Sequence, residues 1–367
     1  MSRVLIVGAG PIGLFLGCRL ALEGHEVQIL EMRDRISPSA RSIGIHPPAL
    51  EALDSVGVAE ALIDCGVAIR RAHVYDEMRY LGELDLGPCP PPYPFVLSLP
   101  QGLTESLLEA RLDHLAPGAI RRGEEVVAVD AREDSVEVRL EGGEIVAGDF
   151  LAGCDGHRSQ VRRGVGSRLH GGRREDHYLM ADVEDPGEAG SEALFYLGRT
   201  GVVESFPLPG SRRRWVARLS EVPPRAEYER LRSAVAERTG RLLPETPGAR
   251  ASAFTARNLL ATPLAGPRWA LVGDAAHVVS PIGGQGMNLG LIGAAALLDA
   301  GFAAAWRPDH YARRQGMRAR RAARRSLLNM NLGSERFPPL VRRVALGTLL
   351  HPLVRGRAAR FFTMRGL

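Results

Sequence analysis

The chain has 367 residues, 45% of them hydrophobic and 24% charged, with a formal net charge of +5. This length predicts roughly two domains, and the composition is typical of a soluble globular protein. The four cysteines form no C-x-x-C pair and have no histidines at ligand spacing. The sequence therefore argues against a disulfide framework and against a metal site.

The N-terminal segment contains a first glycine-rich motif. A short apolar run at residues 3–7 enters Gly8-Ala9-Gly10-Pro11-Ile12-Gly13, a helical pattern follows to about Glu23, and a second strand ends at Glu31. This order of strand, turn, helix, strand and acidic residue predicts a dinucleotide-binding unit. Glu31 is suited to bind ribose hydroxyls, and its charge disfavours NADP at this position. The motif alone leaves NAD and FAD open.

A second glycine-rich motif lies about 260 residues further along the chain. An apolar run at residues 269–272 leads to Asp274, and glycines at 283, 284 and 286 precede an apolar helix starting near Met287. Such a turn lets the main chain lie flat against a planar ring, and the helix N-terminus supplies N–H groups and positive potential. This arrangement suits the negative charge of a reduced flavin, whereas a nicotinamide ring needs no such site.

A third motif, Cys154-Asp155-Gly156-His157-Arg158-Ser159-Gln160-Val161-Arg162, follows a short strand at residues 149–153. The Asp-Gly pair predicts a turn, and Ser159 is a candidate N-cap for a short helix. In this order, the three motifs resemble those of the single-component FAD-dependent aromatic hydroxylases, which have the p-hydroxybenzoate hydroxylase fold. The resemblance covers residues 1 to about 300.

The resemblance implies an α/β fold: a Rossmann-like FAD-binding domain interleaved with a mostly antiparallel substrate-binding sheet, plus C-terminal helices. The expected divisions are 1–70, 100–170 and 255–300 for the FAD-binding domain, 71–99 and 171–254 for the substrate domain, and 301–367 for Arg-rich helices. In the substrate domain, the residue pattern predicts strands near 179–183, 193–197, 201–207 and 213–219.

The resemblance also implies an extended FAD along the three motifs. The residues expected to bind it are Gly8, Gly10, Pro11, Ile12, Gly13, Glu31, Arg33, Arg41, Gln101, Val126, Asp155, Asp274, Pro281, Gly284, Gly286, Met287 and Asn288. Pro281 is the candidate to face the reacting centre. Two positions depart from the family pattern, since Gly293 replaces a usual Asp and Met32 stands where a basic residue often follows the acid.

On the substrate side, the candidate residues are His46, Tyr196 and Phe206, and no charged anchor is assigned on the expected strands. The resemblance implies that NADPH or NADH reduces the FAD and that O2 adds to the flavin. The resulting C4a-hydroperoxide then hydroxylates an aromatic or polyketide-like small molecule. A reductase, an epoxidase or a Baeyer–Villiger monooxygenase on the same scaffold stays open, as does a non-catalytic flavin-binding protein at membranes.

The C-terminal segment is strongly basic, because 15 arginines after residue 300 stand against only two acidic residues. Such a tail can attract nucleic acid or anionic lipid. However, Arg313, Arg314, Arg318, Arg321 and Arg325 fall at helical spacing without interleaved aromatic residues, which favours solvated helix faces over nucleic-acid binding. Because no targeting or membrane-spanning segment is recognised, we expect a cytoplasmic protein. The oligomeric state stays open.

Overall fold

The computed structural model describes residues 2–37, 42–172, 174–185, 187, 189–221, 227–245, 249–280, 283–300, 306–333, 338–351 and 353–366. The strands, in chain order, are β1 (Arg3–Val7), β2 (Glu26–Glu31), β3 (Gly44–Ile45), β4 (Val67–Ile69), β5 (Arg71–Asp76), β6 (Arg79–Asp85), β7 (Val96–Ser98), β8 (Ile120–Arg122), β9 (Val126–Ala131), β10 (Val136–Leu140), β11 (Ile145–Gly148), β12 (Phe150–Gly153), β13 (Arg168–Gly171), β14 (Asp176–Glu184), β15 (Ala193–Gly198), β16 (Gly201–Leu208), β17 (Arg212–Leu219), β18 (Ser252–Ala256), β19 (Leu259–Thr262), β20 (Ala265–Gly266), β21 (Trp269–Leu271) and β22 (His277–Val278).

The helices, in chain order, are α1 (Pro11–Leu22), α2 (Pro47–Asp54), α3 (Ala59–Cys65), α4 (Gln101–Leu115), α5 (Gln160–Gly164), α6 (Tyr228–Thr239), α7 (Gln285–Asp299), α8 (Pro308–Leu332), α9 (Pro339–Leu350) and α10 (Arg355–Phe362). A short 3-10 turn covers Gly273–Ala275. Among the described helices, none combines the length and apolar character needed to cross a bilayer.

The fold consists of two layer systems, each of them a large sheet with the elements that pack on it. The first is centred on a six-stranded sheet in the order β20-β21-β12-β1-β2-β8. Its pairs are parallel except for β20 with β21. Because side chains alternate across a strand, Val4 and Ile6 of β1 pack with α1, α4 and α7, whereas Leu5 and Val7 pack with the three-stranded sheet β11-β10-β9. Helices therefore cover one face and a small sheet covers the other.

A seven-stranded sheet, in the order β18-β14-β17-β16-β15-β5-β6, forms the second layer system. Only the pairing of β15 with β5 is parallel, which confirms the predicted mostly antiparallel sheet. One of its faces packs against α6 through Leu231, Val235 and their neighbours. The other face turns toward the first system, and the space between the two contains the site described below.

The chain passes between the two systems several times, because β5 and β6, β14–β17 and β18 belong to the second sheet while the intervening segments build the first. Strand β7, within the segment 71–99 assigned to the substrate domain, pairs instead with β3 and β4. The exact division of the chain into domains stays a prediction.

The C-terminal arginines do not all lie on solvated faces. On α8, Arg313, Arg314 and Arg321 are exposed, whereas Arg318 and Arg325 are half-buried. Arg342 of α9 is fully buried and its Nε donates a hydrogen bond to Oδ1 of Asp76 at the end of β5 (2.7 Å). The basic segment is thus partly a structural element that attaches the last helices to the second sheet.

Replacing Asp76 by alanine is expected to lower the free energy of unfolding by about 3 kcal/mol, because Arg342 would stay buried without a counter-charge. Arg343 also pairs with Asp76. Urea unfolding measures the effect. The matched control is Asp130→Ala, which breaks the pair of Asp130 with Arg132. Both of these side chains are more than half exposed, so this change is expected to leave the stability nearly unchanged. Equal effects would contradict a structural role for the buried pair.

Candidate functional site

One cavity of about 1270 Å³ runs between the two layer systems. Its lining extends from Glu31 at the end of β2, past Asp274 and the turn at residues 283–287, to Phe206 on the second sheet. It therefore joins the carboxyl ends of the parallel strands, where ligands bind in open α/β sheets, to one face of the antiparallel sheet.

The first glycine motif forms one end of this cavity. Gly8 has a φ of +104°, and a Cβ on Gly13 would lie 2.0 Å from the carbonyl oxygen of Gly8. These two glycines are therefore needed for the turn and for close packing of α1 on it. A Cβ on Gly10, by contrast, would meet no protein atom within 4 Å. Gly10, Pro11 and Ile12 line the cavity at the N-terminus of α1, a suitable place for a pyrophosphate.

Glu31 lies where the sequence predicts it, at the end of β2 and on the cavity wall. Its Oε2 accepts the Ala9 N–H (2.7 Å), and its Oε1 accepts the backbone N–H (3.0 Å) and Nε (2.7 Å) of Arg33. Although burial opposes ionisation, these hydrogen bonds hold the pKa of Glu31 below its usual value. The residue is therefore an ionised acceptor at neutral pH, held in place by Arg33.

Gln101 and Val126 also line this end of the cavity. Gln101 is the first residue of α4, and its Nε2 donates to Oε1 of Glu105 (2.7 Å). Sequence reasoning missed Glu105, which is buried, lines the cavity and has an Oε2 without a hydrogen-bond partner among the described residues. Its spacing of one helical turn from Gln101 is the signal that could have found it.

The third motif begins the short helix α5. Ser159 Oγ accepts the Arg162 N–H (2.8 Å), which confirms its predicted capping role. Asp155 Oδ2 accepts hydrogen bonds from the N–H groups of Gln160 (2.6 Å) and Val161 (3.0 Å). Asp155 lines the cavity, and its other oxygen, Oδ1, is buried and has no hydrogen-bond partner among the described residues. Burial raises the pKa of Asp155 above its usual value, against these hydrogen bonds.

The second glycine motif forms the middle of the cavity. Gly284, with a φ of +65°, is the N-cap of α7, and Gly286 and Met287 of its first turn line the cavity. Asp274, in the 3-10 turn after β21, lines the cavity between the two glycine motifs. The first turn of α7 therefore presents its positive end to the cavity, as the sequence predicts for a ring-binding turn.

His46 and Asn288 hold this turn in place. Asn288 Nδ2 donates to the carbonyl oxygens of Gly44 (2.8 Å) and Gly284 (2.6 Å), and its Oδ1 accepts the His46 N–H (2.7 Å). His46 Nε2 lies 2.9 Å from the Gly283 carbonyl oxygen, and burial lowers the pKa of His46 to about 4, so its ring is neutral. Asn288 is fully buried and is not among the residues that line the cavity, so the structure places it as a support of the turn. Its expected contact with the cofactor stays a prediction.

The substrate-side candidates differ in position. His46 and Phe206 line the cavity, but Tyr196 does not. Tyr196 lies on the opposite face of the second sheet, where it stacks on Tyr75 at 4.4 Å between ring centroids and accepts a hydrogen bond from Arg241. The structure therefore does not bring Tyr196 to this cavity, because the strand alternation of β15 directs Phe195 toward the cavity instead.

Two charged residues on this face were missed by the sequence analysis. Glu204 of β16 and Arg214 of β17 both line the cavity. Side chains two residues apart on a strand share a face, so the prediction for Phe206 could also have placed Glu204 at the cavity. Arg214 belongs to a run of three arginines, in which only strand pairing decides which one faces inward. Arg41 and Pro281 lie outside the described residues.

The chain matches a family model described as FAD binding domain over residues 1–326. It is 34% identical over 302 residues to a 6-methylpretetramide 4-monooxygenase of Streptomyces rimosus, which covers 79% of this chain and 53% of that protein. It is 32% identical over 301 residues to a dialkyldecalin synthase of Streptomyces rugosporus, covering 79% of this chain and 63% of that protein. The chain thus spans about half to two thirds of the length of these relatives.

Among solved structures, p-nitrophenol 4-monooxygenase from Pseudomonas putida superposes with a TM-score of 0.86 at 22% identity, covering 100% of this chain and 99% of that one. This likeness shows the fold. The chain belongs to the FAD-binding-domain family of flavoproteins. The open space beside Gly10 and the unpartnered oxygen of Asp155 on the cavity wall fit a bound dinucleotide. The family match also extends 26 residues beyond the residues 1–300 that the sequence motifs cover.

Proposed function

We propose that this protein is a NAD(P)H-consuming monooxygenase that hydroxylates an aromatic or polyketide-like small molecule. The observation that carries the proposal is the cavity that joins the predicted cofactor residues to the mostly apolar face of the second sheet. Relatives named 6-methylpretetramide 4-monooxygenase and pentachlorophenol 4-monooxygenase support the same class of reaction.

In this proposal, Glu31 holds the adenosine ribose, and Gly10, Pro11 and the N-terminus of α1 hold the pyrophosphate. Asp155 and Asp274 supply acceptors between the two glycine motifs, and the turn at 283–287 lies along the flavin ring. Val126, Gln101 and Arg33 border the adenine and the ribose. When bound, FAD supplies the electron transfer and the oxygen activation.

The chain's own residues would control the surroundings of the reaction. The positive end of α7 stabilises negative charge on the ring that it faces. The neutral His46 ring fixes the Gly283 carbonyl and adds no competing charge. The apolar wall formed by Phe195, Phe206 and Val216 excludes water from the substrate side.

The first test is an absorption spectrum of the purified protein, followed by NADPH and NADH oxidation in air with peroxide detection. The proposal expects flavin bands, slow peroxide-forming oxidation without substrate, and faster oxidation with less peroxide when a suitable phenol is added. Product analysis with labelled O2 shows whether oxygen enters the product.

A protein that cannot be reconstituted with FAD would contradict the proposal. A flavoprotein that converts a ligand without consuming NAD(P)H would instead favour a non-oxidative activity, of the kind suggested by the name of the synthase relative. The Gly10→Ala protein is the comparison: it should stay folded, bind FAD much more weakly and oxidise NAD(P)H more slowly at limiting FAD.

A further inference from the structure

The cavity face of the second sheet is a mostly apolar wall with one carboxyl group in its middle. Strand pairing sets Phe195, Glu204, Val216 and Met180 side by side across β15, β16, β17 and β14, and all four line the cavity. Phe206 extends this wall and packs against Phe195 at 5.7 Å between ring centroids.

Glu204 is one of two charged residues that this face presents to the cavity, and the other, Arg214, is paired with Asp182. Glu204 is only 5% exposed. Among the described residues, no group donates a hydrogen bond to its carboxyl, and no cation forms an ion pair with it. A buried carboxyl without a partner costs free energy unless a ligand supplies the hydrogen bond. Such a group at a cavity wall is therefore a marker of recognition and not of folding.

The neighbouring cation does not neutralise Glu204. Arg214 lies on β17 two residues before Val216, the residue that pairs with Glu204. Its Nε and one terminal nitrogen donate hydrogen bonds to the two carboxylate oxygens of Asp182, at 2.6 and 2.8 Å. Consistent with this, burial alone raises the pKa of Glu204 to about 8, with no lowering by a positive charge. The wall therefore offers one hydrogen-bonding group and little net charge.

We infer that Glu204 recognises the substrate, by hydrogen bonding of its carboxyl to a ring hydroxyl of a neutral aromatic molecule that lies against Phe195, Phe206 and Val216. An anionic substrate is disfavoured at this point, because its charge would be buried against a mostly apolar wall whose arginine is already paired with Asp182. This inference rests on the proposed function and names the class of substrate for it.

Ligand binding tests this without requiring turnover. The probes are 2-naphthol, 2-methoxynaphthalene and 2-naphthoate, titrated by calorimetry into the FAD-saturated protein near pH 7. The wild type is expected to bind 2-naphthol roughly 10-fold more tightly than either of the other two, because only the naphthol is neutral and donates a hydrogen bond. The Glu204→Leu protein should lose the preference for 2-naphthol over 2-methoxynaphthalene while keeping its affinity for 2-methoxynaphthalene.

Two further variants keep the test decisive. Glu204→Gln preserves shape and hydrogen bonding and should retain part of the preference for 2-naphthol even if the leucine variant folds poorly. Glu184→Gln, at the exposed end of β14, should behave as the wild type. Equal affinity of the wild type for the three probes, or no binding of 2-naphthol, would overturn the inference.

The flavin content of each sample, read from its absorption spectrum, separates the two proposals. A flavoprotein with NAD(P)H oxidation but no dependence of naphthol binding on Glu204 would contradict this inference alone. A protein that fails to bind FAD but shows the Glu204-dependent preference would contradict the proposed function alone.

Discussion

Replacing Gly10 by alanine is expected to lower the affinity for FAD by roughly 100-fold while changing the stability of the apoprotein by no more than about 1 kcal/mol. The backbone of Gly10 has φ −77° and ψ 178°, which alanine adopts readily. Its new Cβ would meet no protein atom within 4 Å, so the methyl group interferes only with a ligand in the cavity. Flavin fluorescence titration measures the affinity and urea unfolding the stability.

Two other glycines are the matched controls. Gly142→Ala, at an exposed turn where a Cβ also meets nothing within 4 Å, should leave both FAD affinity and stability unchanged. Gly13→Ala should destabilise the apoprotein itself, since its Cβ would lie 2.0 Å from a main-chain oxygen. Unchanged FAD affinity in the Gly10→Ala protein would show that the dinucleotide does not approach this turn.

Glu204→Gln is expected to stabilise the protein increasingly as the pH rises, by an amount on the order of 4 kcal/mol at pH 9. Burial raises the folded-state pKa of Glu204 to about 8 from 4.5. Between these two values the folded state binds more protons than the unfolded state, so this group makes stability fall as pH rises. Above pH 8 the loss is complete, and below pH 4.5 it is absent.

The groups facing Glu204 do not offset this effect. Tyr178 of β14 has a pKa raised chiefly by burial and also by Asp176 and Glu204, and Arg214 of β17 is paired with Asp182. Urea unfolding of both proteins from pH 5 to pH 9, with FAD at a fixed excess, measures the difference, and Glu184→Gln provides the control. A stability difference that stays constant over this range would show that Glu204 ionises as an exposed carboxyl does.

Local sequence was sufficient for the elements that carry the cofactor residues. Gly24, at φ +79°, ends the first helix within a residue or two of its predicted end, and α7 starts two residues before the predicted Met287. These features depend on backbone preferences of single residues, on capping, and on apolar periodicity, all of which act over a few neighbours. The order of the three motifs then identified the family.

The sequence was insufficient wherever a strand could present either face. Strand β15 reads Ala-Leu-Phe-Tyr-Leu-Gly, with apolar or aromatic residues on both faces. The structure places Phe195 at the cavity, not the Tyr196 chosen from the sequence. The face is decided by pairing with β16 and by burial of the other side against α6. Because a shift of one residue exchanges the two faces, no local property of β15 contains this information.

By itself, the sequence determined the class of cofactor, the positions of both glycine turns and the mostly antiparallel second sheet. Only the tertiary structure decided that Asn288 supports the turn, that Arg342 is buried against Asp76, and that Glu204 lies on a mostly apolar cavity wall. Asp76 and Arg342 are 266 residues apart in the chain. The physical reason is that burial and pairing are properties of neighbours brought together by packing, whereas turns and caps are properties of adjacent residues.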